Sequence, residues 1–292
     1  MVSSLRGVVA AIATPINSER APDHDRFLKL AKHLLANGCD ALNVLGTTGE
    51  ATSFSLGQRK DLMSVAAKEL PRERLMVGTG AASLGDAIDL TRHAAALGFG
   101  AALVLPPFYY KGVSEEGVFM YIEAIVAATR GEPAPIFLYH YPLLSGVPYT
   151  PALVARLISA FPQRVLGVKD SSGDLAYERQ LAERHRGFAV YPANEATLLE
   201  GRNGLFAGCI SATTNLNADL CSRAWRSGDA AALETAVRIR KLFDGKPLVA
   251  GVKAGLAHIY KDSALAEPMP PLTAWSRDDA AALGRDIDAL RD

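Results

Sequence analysis

The chain has 292 residues, of which 49% are hydrophobic and 21% are charged, a composition that fits one large globular domain or a domain with an appendage. Its 31 basic and 31 acidic residues give a formal net charge of zero, and no long charged run suggests binding to nucleic acid or to an anionic membrane. We therefore expect the partner to be a small molecule or another copy of the chain.

Short apolar runs recur along the chain, each followed by a polar or Gly/Pro-rich turn and then by a stretch with helical periodicity. Strands that are apolar on both faces and separated by helices indicate a parallel sheet, and eight such units suit closure into a barrel. An open, doubly wound sheet is the competing fold, but no G-x-G-x-x-G follows any run. The sequence therefore predicts an α/β fold, a (β/α)8 TIM barrel, with strands Val8 to Ile12, Ala41 to Leu45, Leu75 to Gly78, Ala101 to Leu105, Ile136 to Tyr139, Val165 to Lys169, Phe188 to Tyr191 and Leu205 to Ile210.

Helix-start signals support this division of the chain. Asp23 can cap the first helix, and Ser55 with Gln58 has the spacing of a capping box. Thr150 followed by Pro151 combines a cap with a first-turn proline. These residues are structural signals and imply no chemistry.

Beyond the eighth strand the sequence reads as helices. Two clear stretches run from Ala230 to Phe243 and from Arg277 to Leu290, with a break over Pro268 to Pro271. No linker marks an independent second domain. We expect residues 1–217 to form the barrel, and residues 218–292 to be the closing and C-terminal helices of the same catalytic unit, a helical appendage that serves as an oligomer surface or a cover.

The cysteines and the N-terminus favour a cytoplasmic protein. Cys39, Cys209 and Cys221 are too few and too scattered for a disulfide framework or a zinc site, so we expect reduced thiols. The N-terminal stretch has one arginine and a short apolar run interrupted at Thr14-Pro15, which is a weak match to a signal peptide. No apolar run approaches transmembrane length.

The working groups of such a barrel lie at the carboxyl ends of its strands. The second strand is followed by Gly46-Thr47-Thr48-Gly49-Glu50. The glycines allow the backbone to approach a ligand, and the threonines offer hydroxyl and N–H donors that suit a carboxylate. From this motif alone, a tight turn with a capping threonine is an equal alternative.

Tyrosines follow the fourth and fifth strands. Tyr109 and Tyr110 lie on a proline-stiffened loop, a pattern that by itself is more typical of an aromatic lid or interface patch. Tyr139 ends the fifth strand, where a phenol could exchange a proton with a reacting carbonyl or simply pack. His140 stands alone among the histidines at a strand end, so we expect a wall residue and no metal site.

Lys169 ends the sixth predicted strand and is followed by a Ser/Gly/Asp loop. Apolar neighbours deprive the charged ammonium of hydration, which favours the neutral amine as a nucleophile that condenses with a carbonyl. The alternative is a lysine that extends to solvent or pairs with Asp170. Tyr139 and the threonine loop, at neighbouring strand ends, favour the catalytic interpretation.

The last two strands end in polar residues of uncertain role. Asn194 and Glu195 could bind substrate hydroxyls, or they could begin a helix, where such residues are favoured. Phosphate sites of barrels usually lie here and are rich in glycine. Because neither segment has that form, we expect an unphosphorylated substrate.

Taken in order, these segments resemble the dihydrodipicolinate synthase and N-acetylneuraminate lyase family of pyruvate-dependent class I aldolases. The resemblance covers nearly the whole chain, from Ala13-Thr14-Pro15 to the C-terminal helices, and the 46–50 and 167–173 motifs carry most of it. It implies a Schiff base between Lys169 and C2 of pyruvate or another 2-oxo acid, with no cofactor. It also implies a homotetramer, a dimer of dimers.

The resemblance assigns further roles by position. Thr47 and Thr48 hold the substrate carboxylate, with Gly46 and Gly49 beside them, and Tyr139 carries protons. Tyr109 matches a tyrosine that in many members reaches the site of a neighbouring subunit. Ile210, Leu144, Asn194 and Glu195 are then expected to bind substrate.

Departures from the family pattern bear on the substrate. Leu144 stands where the synthases carry an arginine for the second substrate, which argues against 4-hydroxy-tetrahydrodipicolinate synthase. Glu195 matches a sugar-binding glutamate of the neuraminate lyases, but Asn194 and Ala212 differ from that branch. We therefore expect a lyase that cleaves or dehydrates a smaller 2-keto-3-deoxy sugar acid. The synthase, the neuraminate lyase and a non-catalytic relative that binds 2-oxo acids are the alternatives.

Overall fold

The computed structural model describes residues 5–131 and 133–292 of the chain. Within these ranges, eight parallel strands form one sheet in the order β7-β6-β5-β4-β3-β2-β1-β8. The strands are β1 (Gly7–Ala11), β2 (Ala41–Val44), β3 (Leu75–Gly78), β4 (Ala101–Val104), β5 (Ile136–His140), β6 (Val165–Asp170), β7 (Ala189–Pro192) and β8 (Gly208–Ser211).

The sheet curls until its two edges meet. β1 pairs with β8 along its length, and the backbone N–H of Ala207, just before β8, donates to the carbonyl of Val190 in β7 at 2.9 Å. The result is a nearly closed barrel with helices between its strands. The predicted (β/α)8 fold is confirmed, and each predicted strand overlaps an observed one.

Helices alternate with the strands and continue beyond β8. The predicted caps are present: the Asp23 side chain accepts from a backbone N–H, Ser55 and Gln58 form a reciprocal capping box, and Thr150 caps the helix that Pro151 begins. The α-helices are α1 (His24–Ala36), α2 (Leu56–Glu69), α3 (Leu84–Ala96), α4 (Glu115–Ala128), α5 (Pro142–Ser145), α6 (Pro151–Ala160), α7 (Leu175–Arg184), α8 (Leu198–Arg202), α9 (Thr214–Ser227), α10 (Ala230–Lys241), α11 (Leu248–Tyr260) and α12 (Arg277–Arg291). Short 3-10 helices cover Ala51–Ser53, Arg72–Arg74, Glu195–Thr197 and Ser263–Ala266.

The helices after β8 are continuous with the barrel. The predicted boundary after residue 217 falls within α9, at the point where Asn217 has non-helical backbone angles (φ −138°) and the helix kinks. Asn217 Nδ2 donates to the Ala236 carbonyl of α10 at 3.2 Å, which ties the appended helices to the barrel. The first turn of α11 lies over the barrel mouth, where Leu248 and Val249 line a cavity.

The core has an inner and an outer layer because strand residues alternate in direction. The inner layer fills the barrel with side chains that include Val9, Met76, Leu103, Phe137 and Tyr191. The outer layer lies between strands and helices and forms two larger clusters. This alternation decides which residues of a strand end can reach the interior of the barrel.

All three cysteines are buried free thiols, and burial raises the pKa of Cys39 to about 12, so they carry no reactive thiolate at neutral pH. In the part of the chain described, no helix has the length and apolar character needed to span a membrane. Residues 1–4 of the N-terminal stretch considered above lie outside the described residues.

Candidate active site

Two neighbouring strands bring Lys169 and Tyr139 together at the barrel mouth. The register of β5 and β6 pairs Tyr139 with Lys169 and His140 with Asp170. Phe137 belongs to the inner layer and Leu138 to the outer one, so alternation directs Tyr139 and Lys169 inwards and their successors outwards. The two predicted reactive groups therefore share the interior.

Lys169 is held in apolar surroundings. Its residue is 3% exposed, and its Nζ lies 4.4 Å from the centroid of the Tyr139 ring. Two residues earlier on β6, Gly167 leaves room for the Phe137 ring, which a Cβ at that position would approach to 2.3 Å. A ring at this distance stabilises a cationic nitrogen by about 0.5–2 kcal/mol, whether it is the ammonium or a later iminium.

The threonine loop reaches the same point from β2. The hydroxyls of Thr47 and Tyr139 are 2.9 Å apart and hydrogen-bonded, and Thr48 beside them is 4% exposed. Either hydroxyl of the pair can donate, so a proton can pass between them. The loop and the tyrosine form one unit next to Lys169.

The backbone of this loop is tightly constrained. Leu45 has a positive φ of 53°, a left-handed conformation unusual for a residue with a side chain. The Leu45 carbonyl lies against Gly78 of β3, where a Cβ would approach it to 2.0 Å. Glycine at position 78 thus allows the loop to cross the neighbouring strand end and present Thr47.

A buried ion pair fixes the far end of the loop. Glu50 pairs with Lys253 of α11, and both side chains are at most 1% exposed. Glu50 Oε2 also accepts from the Met269 N–H at 2.6 Å, while Lys253 Nζ donates to the Glu267 carbonyl at 2.9 Å. Burial lowers the pKa of Lys253, and Glu50 acts in the opposite direction. Loss of one partner of such a pair costs about 3–5 kcal/mol, so this contact anchors the loop.

A cavity of about 250 Å³ opens above Lys169. Six predicted site residues line it, namely Thr47, Thr48, Tyr139, Leu144, Lys169 and Ile210. The other lining residues are Tyr141, Ser171, Ala193, Ala212, Arg240, Pro247, Leu248, Val249, Ala250 and Leu272. The cavity brings the Lys169 amine, the two threonines and the β8 residue Ile210 to one enclosed space.

The other five predicted site residues do not line this cavity. Gly46 lines an adjoining cavity of about 350 Å³ that shares Thr47 and Tyr139 with the first one. Gly49 packs against the β1 and β2 ends, and its carbonyl accepts from Thr14 Oγ1 at 2.9 Å. Tyr109 is 75% exposed and contacts the Tyr110 ring edge-on.

Asn194 and Glu195 do not line the cavity above Lys169. Asn194 is exposed and caps the following 3-10 turn through its side-chain oxygen, which is the structural role that its position also allowed. Glu195 is completely buried, with Oε2 3.3 Å from Arg240 Nη1. Its contact with the cavity is therefore indirect, through Arg240.

Comparison with known proteins shows the family and agrees with the observed fold. The chain matches the dihydrodipicolinate synthetase family model over residues 4–290. The chain belongs to this family. It is 30% identical over 286 residues to an uncharacterized DapA-like lyase of Chloroflexus aurantiacus, covering 95% of this chain and 94% of that protein.

Solved structures of family members superpose on nearly the whole chain. Dihydrodipicolinate synthase from Agrobacterium tumefaciens is 29% identical with a TM-score of 0.92, over 98% of this chain and 99% of that one. A prophage protein of the family from E. coli K12, solved in complex with pyruvate, is 25% identical with a TM-score of 0.88 over 98% of both chains. Like other members of the dihydrodipicolinate synthetase family, the chain has the architecture of a lyase or aldolase.

Arg240 is the main polar group of this family member's cavity that sequence reasoning missed. It lies on α10, whereas the sequence-based candidates were taken from the ends of the predicted strands. The only signal in the sequence was a cluster of basic residues in the last turn of a predicted helix, which is also the pattern favoured by the helix dipole. Nothing local indicated that the Arg240 side chain comes within 3.3 Å of Ser211 in β8.

His140 belongs to a polar cluster behind the site. Its Nδ1 lies 3.0 Å from Asp170 Oδ1, and its ring meets the Tyr177 ring edge-on at 4.4 Å. Glu178 of α7 is also buried, and desolvation together with Asp170 raises its pKa to about 9. Because these side chains point away from the barrel interior, they support β5 and β6 without reaching the cavity.

Proposed function

We propose that the protein is a class I lyase whose Lys169 forms a Schiff base with pyruvate or another 2-oxo acid. The preferred substrate is an unphosphorylated 2-keto-3-deoxy sugar acid, which the enzyme cleaves or dehydrates. One observation carries the proposal: a buried lysine amine, a tyrosine hydroxyl and two threonines line a single cavity at the carboxyl ends of the strands.

The first step is condensation at the ketone. The neutral Lys169 amine attacks C2, and the resulting carbinolamine loses water to give an iminium. The hydroxyls and N–H groups of Thr47 and Thr48 hold the neighbouring carboxylate. The Tyr139 ring lies against the nitrogen and stabilises its positive charge.

The second step breaks or forms a bond to the substrate chain. In cleavage, the C4 hydroxyl loses its proton, the C3–C4 bond breaks to release an aldehyde, and its electron pair enters the iminium to give an enamine. Protonation of the enamine at C3 and hydrolysis release pyruvate and regenerate the amine. Tyr139, hydrogen-bonded to Thr47, is placed to transfer these protons.

Leu144 in the cavity wall favours a sugar acid over aspartate semialdehyde as the substrate. Leu144 lines this wall and is 56% exposed, where an arginine would be expected in a synthase. An apolar side chain cannot pair with the carboxylate of that second substrate. The second candidate is 4-hydroxy-tetrahydrodipicolinate synthase, because one of the similar solved structures is a dihydrodipicolinate synthase. N-acetylneuraminate lyase and a non-catalytic relative rank after it.

Assembly is part of the proposal. Tyr109 and Tyr110 are 75% and 71% exposed on the single chain, and large aromatic residues at this level of exposure are typical of an interface. We assign Tyr109 to the site of a neighbouring subunit in a cytoplasmic homotetramer. Pyruvate is the small-molecule partner, and no cofactor, metal, nucleic acid or membrane takes part.

A panel of substrates tests the proposed activity. Purified protein is incubated with 2-keto-3-deoxy sugar acids, with N-acetylneuraminate, and with pyruvate plus aspartate semialdehyde, and products are separated by chromatography. The proposal expects pyruvate or a dehydrated product from at least one 2-keto-3-deoxy acid, at a kcat/KM well above that for the other substrates. Robust condensation with aspartate semialdehyde would favour the synthase instead, and binding without turnover of any compound would favour the non-catalytic relative.

A further inference from the structure

The Arg240 side chain enters the Lys169 cavity from α10 and is held by a buried carboxylate. Its Nη1 lies 3.3 Å from Glu195 Oε2 and 3.3 Å from Ser211 Oγ. The Arg240 side chain is 26% exposed, whereas that of Glu195 is 0% exposed. Glu195 therefore orients the guanidinium toward the cavity without reaching the cavity itself.

Glu195 is fully buried among donors of this chain and does not face a ligand. Its Oε1 accepts from the Thr213 hydroxyl and from Asn217 Nδ2, the latter at 3.3 Å, and its Oε2 faces Arg240. The kink of α9 at Asn217 turns that amide toward the carboxylate. Donors of this chain thus occupy both oxygens, which makes the carboxylate a fixed support.

Arg240 does have capacity left for a ligand. Within residues 5–131 and 133–292, all its hydrogen bonds use Nη1, with Glu195, Ser211 and Thr213. Nε and Nη2 carry the remaining N–H donors of the planar fork. Tyr141 lines the same cavity; burial and Tyr139 raise its pKa, and Arg240 acts in the opposite direction, as expected for nearby groups.

We propose that Arg240 binds the hydroxyl oxygens of the aldehyde-derived half of the substrate, and that Glu195 is its positioning residue. This inference rests on the proposed function, because the orientation of the substrate follows from the Schiff base at Lys169. Because Glu195 neutralises Arg240, a second substrate carboxylate would meet a negative charge behind the guanidinium. Hydroxyl groups accept from the same fork without this repulsion, so the site selects a neutral, hydroxylated chain over an acidic one.

The test measures condensation of pyruvate with two aldehydes, glyceraldehyde and the acidic succinic semialdehyde. Arg240→Met should lower kcat/KM for glyceraldehyde at least about 10-fold, because hydrogen bonds to a charged donor are lost. Arg240→Lys should retain only part of the wild-type kcat/KM for glyceraldehyde, since lysine lacks the planar fork of N–H donors. The matched control is Arg238→Met, which replaces an exposed arginine on the same helix. It should leave kcat/KM unchanged for both aldehydes.

Glu195→Gln gives an effect that a purely structural role would not produce. It keeps the shape of the side chain but leaves Arg240 with an uncompensated charge, so the ratio of kcat/KM for succinic semialdehyde over glyceraldehyde should rise at least about 10-fold. An unchanged ratio, or full glyceraldehyde activity in Arg240→Met, would overturn the inference. So would a wild type that accepts glyceraldehyde no better than the acid.

A parallel readout separates this inference from the proposed function. Each variant is treated with pyruvate and borohydride, and the yield of the Lys169 adduct is measured by mass spectrometry. Wild-type yield in the Arg240 and Glu195 variants shows a folded protein with an intact amine. No adduct in the wild type would instead contradict the Schiff-base proposal itself.

Discussion

The two halves of the cavity are built differently. The half around Lys169 takes its side chains from strand ends and from the loop after β2, joined by the Thr47–Tyr139 hydrogen bond and anchored by the Glu50–Lys253 pair. The opposite half takes Arg240 from α10 and its apolar wall from α5, α11 and Leu272. The first half is held together by buried polar contacts and carries the proposed reacting groups, whereas the second carries the residues that would recognise the rest of the substrate.

This difference separates reaction from specificity. A group that must form and stabilise an iminium needs fixed geometry, which short strand ends and buried hydrogen bonds provide. Residues that only select the aldehyde half can change without loss of the first step. We therefore expect substitutions in the Lys169 half to lower the rate with every substrate, and substitutions around Arg240 to change which substrate is preferred.

Tyr139→Phe should give the largest effect among variants that keep the lysine. It retains the ring against Lys169 but removes the hydroxyl that contacts Thr47, so proton transfer fails and kcat should fall roughly 10²–10⁴-fold with every substrate. Steady-state kinetics on the active members of the panel measure this effect.

The matched control for that variant is Tyr141→Phe. Tyr141 lines the same cavity but lies outside the pair formed by Thr47 and Tyr139, so we expect less than about a 10-fold change. Equal losses in the two variants, or a kcat of Tyr139→Phe close to that of the wild type, would contradict the role given to the Tyr139 hydroxyl.

Glu178→Gln should give a smaller effect, on stability rather than on substrate choice. Burial and Asp170 raise the pKa of Glu178 from 4.5 to about 9, so between these values the folded state holds a proton that the unfolded state releases. The wild type therefore loses stability as pH rises from the lower to the higher value. Glutamine is neutral at every pH, so the variant does not lose stability in this way. The variant should be clearly more stable than the wild type at pH ~8.5 and nearly equal to it below pH ~5.

Urea unfolding at the two pH values checks this prediction, with Glu183→Gln on the exposed face of α7 as control. If the free energies of unfolding of Glu178→Gln and the wild type differ by the same amount at both pH values, the folded state does not hold a proton on Glu178, and the prediction is contradicted. The ratio of activities with different aldehydes should be the same as in the wild type, because Glu178 does not line the cavity.

Local sequence patterns were sufficient for the barrel but only for half of the cavity. The eight strands follow from apolar runs and the helix starts from caps, since both depend on neighbouring residues. Lys169, Tyr139, Thr47 and Thr48 were found because barrel geometry places strand ends together. The resemblance to a known family added their expected roles.

The rest of the cavity depends on tertiary packing that no local pattern encodes. Arg240 reaches the cavity because α10 packs against α9 and the 195–197 turn, and Glu195 is held by Thr213, Asn217 and Arg240. Glu195 and Asn194 matched substrate-binding positions of the family, yet neither lines the cavity. Such a pairing between a strand-end loop and a distant helix forms only in the folded chain.

The central claim is that Lys169 is the Schiff-base nucleophile, and borohydride trapping tests it most directly. The protein is incubated with pyruvate and borohydride, digested, and analysed by mass spectrometry, with Lys169→Ala treated in parallel. We predict one reduced pyruvate adduct per chain, located on Lys169 and missing from the variant. No adduct in the wild type, or an adduct that persists in Lys169→Ala or lies on Lys253, would contradict the account.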